Sequence, residues 1–145
     1  MTFSTNQFAL SRQKGTLANT QSKENAIAFK IAATVTTLVA PAQYVGLDAD
    51  GNLVEVATTV QGIGFIQFNA VKGSATGNDV IDVFMDNTVM WMEAGAAIVP
   101  GVKVEVAAAQ TVITAPTPAV NITVGIALDA AAQAGDLIRV QIKQF

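Results

Sequence analysis

The acidic residues in the middle of the chain are the side chains with the greatest potential for chemistry. Asp79, Asp82, Asp86 and Glu93 form the densest group of carboxylates, and two carboxylates flanking a bond are the machinery of glycoside hydrolysis. The surrounding residues, however, predict strands, and residues three positions apart on a strand point to opposite faces. Asp79 and Asp82 are therefore expected to be solvated surface charges and not a catalytic pair.

The composition removes the other common catalytic groups. The 145 residues include no His and no Cys. Imidazole bases, Ser-His-Asp and Cys-His arrangements, zinc-thiolate sites and disulfides therefore cannot occur in this chain. We predict that the protein is not an enzyme and that it has no catalytic residues.

Two short motifs are similar to ligand-binding loops. DADGN (48–52) has the spaced acids of a calcium loop, but its Gly comes one position early and a strand-like run follows, which favours a hairpin turn. GIGF (62–65) is not followed by the third Gly and the helix of a dinucleotide-binding loop. Two Gly residues within a strand indicate a bulge or a close backbone approach. We therefore predict no metal and no cofactor.

Charge divides the chain into an N-terminal arm and a body. Residues 1–30 carry four basic residues and one acidic residue, a net charge of +3, whereas residues 31–145 carry four basic and ten acidic residues, a net charge of −6. Residues 1–25 are polar and follow no helical or strand period, which predicts an extended interaction arm. Its basic residues are too few and too dispersed for a nucleic-acid-binding patch. The candidate binding residues of the arm are Phe3, Phe8, Leu10, Arg12, Lys14, Leu17 and Lys23.

Residues 26–145 are predicted to form one all-β domain. Runs rich in β-branched residues alternate with turn signals at short intervals, a pattern typical of a small barrel or sandwich. Only DAAAQAG (129–135) suggests a helical turn. The predicted strands lie at 26–40, 44–47, 53–57, 60–68, 78–85, 87–94, 102–108, 111–114, 121–128 and 136–145.

No part of the sequence favours a membrane. The stretch between Glu105 and Asp129 has no charged residue and is long enough to span a bilayer, but Pro116 and Pro118 lie within it. It divides into two short β-like runs, so we predict no transmembrane helix. The first ten residues lack the basic start and apolar run of a signal peptide.

An internal repeat runs through the body. Several elements recur in the same order, which predicts two pseudo-repeated β-units at about 38–84 and 97–141. Because two copies are too few for a solenoid, they are expected to pack into one barrel or sandwich. The matched pairs are LVAP (38–41) with AIVP (97–100), Val45 with Val104, Leu53-Val54 with Val112-Ile113, GIGF (62–65) with GIAL (125–128), and DVIDV (79–83) with DLIRV (136–140).

The stretch FMDNTVMWMEAG (84–95) concentrates Met and Trp. On a strand, Met90 and Met92 lie on one face and Trp91 on the other, so a core strand and a subunit interface are equal alternatives. Trp and Met are enriched at interfaces. The chain is 51% hydrophobic and only 13% charged, which favours self-association. Met90, Trp91 and Met92 are therefore candidate interface residues.

The C-terminal half resembles bacteriophage capsid cement (decoration) proteins. WMEAGAAIVPGVKVEV (91–106) and VGIALDAAAQAGDLIRVQI (124–142) follow the family's order of an Ala/Gly stretch, a Gly-x-x-Val strand, V-G-x-A-L, an Ala-rich loop and G-D-x-x-x-V. The first repeat is a looser copy of this pattern. The arm has no part in it, unlike shorter family members that begin almost directly with the β-domain. The residues on the pattern are Gly125, Ala127, Leu128, Ala130–Ala132, Gly135, Asp136 and Val140.

The resemblance implies a structural virion protein made in the host bacterial cytoplasm. Such a protein binds the outer surface of an icosahedral phage capsid and cements neighbouring major capsid protein subunits, often as a homotrimer. The implied partners are the major capsid protein and further copies of the chain, with no nucleic acid and no membrane. Ordering the arm costs on the order of 1 kcal/mol per residue in backbone entropy, so we expect the capsid to hold it.

The alternative function is a carbohydrate-binding or adhesin β-module of a phage head fibre or tail. Such a module would need exposed Trp and Tyr platforms for sugar rings, and the chain has one Trp and one Tyr.

Overall fold

The computed structural model describes residues 14–17, 25–35, 41–67, 77–107, 111–116 and 119–144. These residues form ten strands and no helix, so none of their elements is a helix that could cross a membrane. The all-β prediction is confirmed. The strands are β1 (Ala26–Lys30), β2 (Tyr44–Leu47), β3 (Leu53–Glu55), β4 (Gly64–Ile66), β5 (Val80–Phe84), β6 (Val89–Ala94), β7 (Lys103–Ala107), β8 (Thr111–Thr114), β9 (Thr123–Ala127) and β10 (Leu137–Ile142).

The strands form two β-units with the same neighbour order. The first unit is a five-stranded sheet in the order β1-β5-β4-β2-β3, and the second is a closed barrel in the circular order β6-β10-β9-β7-β8. The barrel closes where β8 pairs in parallel with β6. Every other pairing between these strands is antiparallel. Strand β1 therefore corresponds to β6, β2 to β7, and so on. The presence of two pseudo-repeated units is confirmed, but each unit begins one strand before the predicted starts at about 38 and 97.

The register of the strands aligns the two units residue by residue. Val45 pairs with Gly64, and Val104 pairs with Gly125. The expected match of Gly62 with Gly125 is thus wrong by two residues. The strand register decides the match, and the two paired positions share the same steric demand, since a Cβ would meet the Phe84 carbonyl oxygen at Gly64 and the Gln141 carbonyl oxygen at Gly125. Both units therefore need Gly at this position, where β4 lies beside β5 and β9 lies beside β10.

Each unit encloses its own apolar interior, and a shared cluster joins them. In the first unit, the interior consists of Ile31, Val45, Leu53, Ile66, Ile81 and Val83. The barrel interior includes Met90, Met92, Val104, Val112, Ile138 and Val140. Alternate residues of the first sheet point the other way and belong to the barrel's cluster, namely Tyr44, Phe65 and Phe84. The outer face of the first sheet thus packs against the second unit.

Several predicted strands are longer than the observed ones, and two local predictions differ most from the structure. The long strand predicted at 26–40 ends at Lys30, because the chain turns after Ala32, whose carbonyl accepts a hydrogen bond from Val35 N at 3.0 Å. The helical turn predicted at 129–135 is instead a loop. Asp136 directly follows this loop, and its Oδ2 accepts bonds from Ala132 N at 2.8 Å and Gln133 N at 3.2 Å. These side-chain bonds take the place of the backbone bonds of a helical turn.

Candidate functional site

The N-terminal arm meets the barrel along the outer edge of β6. Gly15 N donates to Trp91 O at 2.8 Å, and Trp91 N donates to Thr16 O at 2.9 Å. Leu17 continues this contact as an antiparallel bridge to Met90. Because β8 pairs only with the last two residues of β6, residues 15–17 occupy the edge that β8 leaves open. The arm is therefore anchored to the body as a short added strand.

Gly15 is the residue that lets the arm approach the body so closely. Its φ is +80°, and a Cβ there would lie 3.0 Å from Ala42 N, 3.1 Å from Pro41 Cβ and 3.2 Å from Ile66 O. A larger residue would be strained in φ and crowded by backbone atoms. The anchor thus fits between the barrel edge and the first unit.

The flanking side chains of the anchor add one apolar and one charged contact. Leu17 packs against the barrel's apolar cluster. Lys14 Nζ lies 3.5 Å from Glu93 Oε2, with the two side chains 28% and 34% exposed. A partly exposed ion pair of this kind contributes only about 0–1 kcal/mol, so backbone pairing and the Leu17 contact contribute most of the attachment.

The structure places two of the predicted arm residues, Lys14 and Leu17, on the protein's own barrel. The expectation that the capsid holds the arm therefore does not extend to residues 14–17. The other candidate residues lie outside the described residues, namely Phe3, Phe8, Leu10, Arg12 and Lys23.

The predicted interface residues of β6 divide between two faces. Met90 and Met92 are fully buried in the barrel, so they fill the core and cannot reach a neighbouring subunit. Trp91 is half-buried on the outward face and pairs across the sheet with Arg139. Only Trp91 of the three remains a candidate contact residue.

Arg139 is held rigidly beside Trp91. Its guanidinium makes two bonds to the Asp129 carboxylate, Nε to Oδ2 at 2.9 Å and Nη2 to Oδ1 at 2.7 Å. The hydrogen bonds and negative charge of Asp129 raise the pKa of Arg139, and its guanidinium is positively charged at physiological pH, as in any arginine. This outward face of β6 and β10, which we call the Trp91 face, presents Val89, Trp91, Glu93, Leu137, Arg139 and Gln141.

The acidic residues considered for chemistry serve as backbone acceptors and surface charges. Asp82 is exposed on β5, and Asp86 Oδ1 accepts a bond from Gln144 N at 2.9 Å. Asp48 Oδ1 accepts bonds from Asp50 N and Asn52 N, both at 2.9 Å, which is the expected hairpin turn. Among the described residues, no three His, Cys, Asp or Glu side chains cluster closely enough to hold a metal ion.

Glu105 is a structural residue that the sequence analysis did not identify. Its side chain is buried, and Oε2 accepts bonds from Val120 N at 3.1 Å and Asn121 N at 3.0 Å. Asn121 Oδ1 in turn accepts a bond from Thr58 Oγ1 at 3.0 Å. Glu105 therefore fixes the loop between β8 and β9, which bonds to Thr58 of the first unit. One signal was available, because Glu105 interrupts an apolar strand where the first repeat has Gly46.

Comparison with protein-family models gives a match to the phage cement protein family over residues 19–142. Comparison with curated proteins gives no match. Among solved structures, the fold is similar to that of the head fiber gp8.5 N base in bacteriophage phi29, with a TM-score of 0.56 and 17% sequence identity. The similarity covers 83% of this chain and 95% of that one.

The family match extends from the last residues of the arm to the end of β10 and so includes both β-units. Its extent agrees with the ten-strand body, and the proteins of this family are structural components of the virion on the capsid. The chain belongs to the phage cement protein family and is a structural protein of the phage head.

Proposed function

We propose that this protein binds the outside of an icosahedral phage capsid and cements neighbouring major capsid protein subunits. In this proposal the β-body sits on the shell and the arm reaches a capsid subunit. The protein would be made in the host bacterial cytoplasm and join the virion there. It acts by adding contact area across subunit joints.

The observation that carries the proposal is the anchor of the arm at residues 15–17. The backbone bonds between Gly15, Thr16 and Trp91 fix the point at which the arm meets the body. Residues 1–13 hold Phe3, Phe8, Leu10 and Arg12, which supply apolar and basic contacts for a partner surface. An arm with a fixed origin can span a joint between two subunits while the body binds one of them.

Self-association as a homotrimer is the second part of the proposal. The low charged fraction of 13% and the half-buried Trp91 favour a protein–protein contact on the Trp91 face. Multi-angle light scattering at micromolar concentration is expected to give a trimer mass. If the protein is monomeric in solution and trimeric only on the shell, trimerisation requires the capsid.

The alternative as a glycan-binding module has little support from the aromatic residues. Tyr44 is 3% exposed, its hydroxyl oxygen accepts a bond from Gly62 N at 2.6 Å, and its ring packs edge-on against Phe65 at 5.2 Å. It cannot stack on a sugar. Of the chain's one Trp and one Tyr, only Trp91 could then serve as a platform for a sugar ring.

The test is co-sedimentation with empty shells of the cognate phage, using the full chain and a variant lacking residues 1–13. This truncation retains the anchor and Leu17, so the body should melt as the full chain does. We expect shell binding to fall at least tenfold. Undiminished binding by a normally melting truncated protein would contradict the role of the arm and move the contact to the body.

A further inference from the structure

Within the described part of the chain, the outer edge of β1 is unpaired where that of its counterpart β6 pairs with the arm. The register of β1 on β5 matches that of β6 on β10, so that Ala28, opposite Asp82, corresponds to Trp91, opposite Arg139. Among the described residues, no strand pairs with the outer edge of β1 before Ile31 meets Leu53 in a single parallel bridge.

The hydrogen-bonding groups of this edge point outward. Ile31 N donates to Asp79 O and Met85 N donates to Asn25 O, so the odd-numbered residues of the strand bond toward β5. Ala32 N instead donates to Leu53 O on the opposite side. Because the direction alternates along a strand, the N–H and C=O of Ala28 face away from β5, as those of Trp91 face away from β10.

The apolar interior beneath this edge is also less covered than its counterpart. Ile27 corresponds to Met90, yet Ile27 is 48% exposed and Met90 is 0% exposed. In the barrel, Leu17 of the arm bridges to Met90 and packs on the same cluster. The first unit therefore presents both the backbone edge and the apolar side chain that the arm covers in the second.

The charge at this edge is reversed relative to the barrel. Glu93, which pairs with Lys14 of the arm, corresponds to Lys30 of β1. The arm of a second copy would bring Lys14 against Lys30, and residues 1–23 contain no acidic side chain. A lysine on an edge strand also disfavours pairing between two copies of the same edge. The positive charge of Lys30 therefore favours an occupant that carries an acid.

We infer that the outer edge of β1 binds an extended segment of a capsid subunit, added as an antiparallel strand. By analogy with Lys14 and Leu17, the segment carries an acidic residue beside Lys30 and, three positions later, an apolar residue over Ile27. Strand addition of this kind derives affinity from main-chain bonds and specificity from the side chains. The inference rests on the proposed capsid binding and names the surface of the body that contributes to it.

Shell co-sedimentation of Ala28→Pro tests the edge directly. Proline is tolerated on an edge strand where the N–H faces outward, so this variant should keep its circular dichroism melt while losing the outward donor and blocking strand addition. We expect at least a tenfold loss of shell binding. Lys30→Glu should lose binding to a similar extent, whereas Lys143→Glu, an equal charge change at another exposed lysine, should bind like the unmodified protein.

The outcomes separate the two proposals. No binding of the unmodified protein to shells would contradict the proposed function itself. Normal binding by folded Ala28→Pro and Lys30→Glu variants, with the unmodified protein bound, would overturn the β1 inference alone. If Ala28→Pro does not fold, hydrogen exchange at the Ala28 amide of the unmodified protein replaces this test. We expect the amide to be protected when the protein is bound to the shell, and unchanged exchange would contradict the β1 inference. Conversion of a free oligomer to monomer by Ala28→Pro would assign the edge to a second copy and overturn the capsid assignment.

Discussion

The two β-units have the same strand order but differ in how they close. In the second unit, β8 pairs with β6 and residues 15–17 complete the same edge, so that Met90 is fully buried. Among the described residues of the first unit, one parallel bridge between Ile31 and Leu53 is the corresponding contact, and Ile27 is half-exposed. The burial of the first strand therefore depends on what covers its outer edge, and not on the topology alone.

The outer faces of the units differ as well. Tyr44, Phe65 and Phe84 of the first unit are buried against the second, whereas the corresponding barrel positions hold Lys103, Ile126 and Gln141. The first unit thus has an aromatic face that packs against the second unit, whereas the corresponding face of the barrel is more polar and points outward. The same backbone serves a buried sheet and an outward wall because alternate strand residues point to opposite sides.

The first way to test this comparison is to truncate the equivalent residues Met90 and Ile27. Met90→Ala removes a fully buried side chain and should cost about 2–5 kcal/mol of unfolding free energy. Ile27→Ala removes a side chain that is already half in water and should cost about 1 kcal/mol or less. Urea unfolding of both variants measures the difference. Equal losses would show that the two first strands are equally covered.

The paired glycines Gly64 and Gly125 should respond alike. Replacing either with Ala places a Cβ against a backbone carbonyl oxygen, and overpacking of this kind costs about 3 kcal/mol. Gly51→Ala is the control, since its Cβ would meet nothing within 4 Å and only its φ of +78° is unfavourable. That strain costs about 1–2 kcal/mol. Thermal melts that rank Gly51→Ala level with the other two would contradict the steric account.

Glu105 sharpens the contrast with Gly46, its counterpart in the first unit. Glu105→Ala leaves the amides of Val120 and Asn121 without their carboxylate acceptor, which should cost about 1–3 kcal/mol. Glu55→Ala, at an exposed position, should stay within about 0.5 kcal/mol of the unmodified protein. Denaturant unfolding compares the two variants, and a neutral Glu105→Ala would mean that the loop between β8 and β9 does not depend on this carboxylate.

The smallest expected effect concerns Tyr44, whose counterpart is the exposed Lys103. Burial of the phenol raises the pKa of Tyr44, and the hydrogen bond from Gly62 N opposes that rise. Because the pKa of Tyr44 is higher in the folded state than in the unfolded state, its neutral phenol contributes stability that is fully present below about pH 10. This stability is lost as pH rises through the folded-state pKa. Tyr44→Phe should cost about 1 kcal/mol at neutral pH and reduce the alkaline loss. If Tyr44→Phe and the unmodified protein lose stability equally at alkaline pH, that loss comes from the titration of other groups.

Strand periodicity and turn signals in the sequence were sufficient to predict the ten strands and their repeat. TVIT at 111–114 is a strand with those same bounds, and Asp50-Gly51 lies in the predicted turn. The match of the Gly motifs failed by two residues, because both Gly62 and Gly64 are confined by nearby backbone and the sequence does not distinguish them. Only the strand register does.

The site was less predictable than the fold. Lys14 and Leu17 were predicted to bind the capsid, whereas they contact Glu93 and Met90 of the barrel. These partners lie far along the chain, and no local pattern links them to the arm. The Met90-Trp91-Met92 stretch left core and interface as equal alternatives, because a single strand shows which residues share a face but not which face is inward. The edge of β1 that is unpaired among the described residues could be recognised only by comparing β1 with β6 in the structure.

The central claim is that this protein cements capsid subunits, and thermal disruption of empty shells with and without bound protein tests it most directly. Shells saturated with the full chain should dissociate, as followed by light scattering, at a higher temperature than bare shells, because each bound copy adds contacts across a joint between subunits. The variant lacking residues 1–13, added at a concentration that saturates the shell, should give a smaller rise. Full occupancy of the shell by the intact protein with no increase in the disruption temperature would contradict cementing.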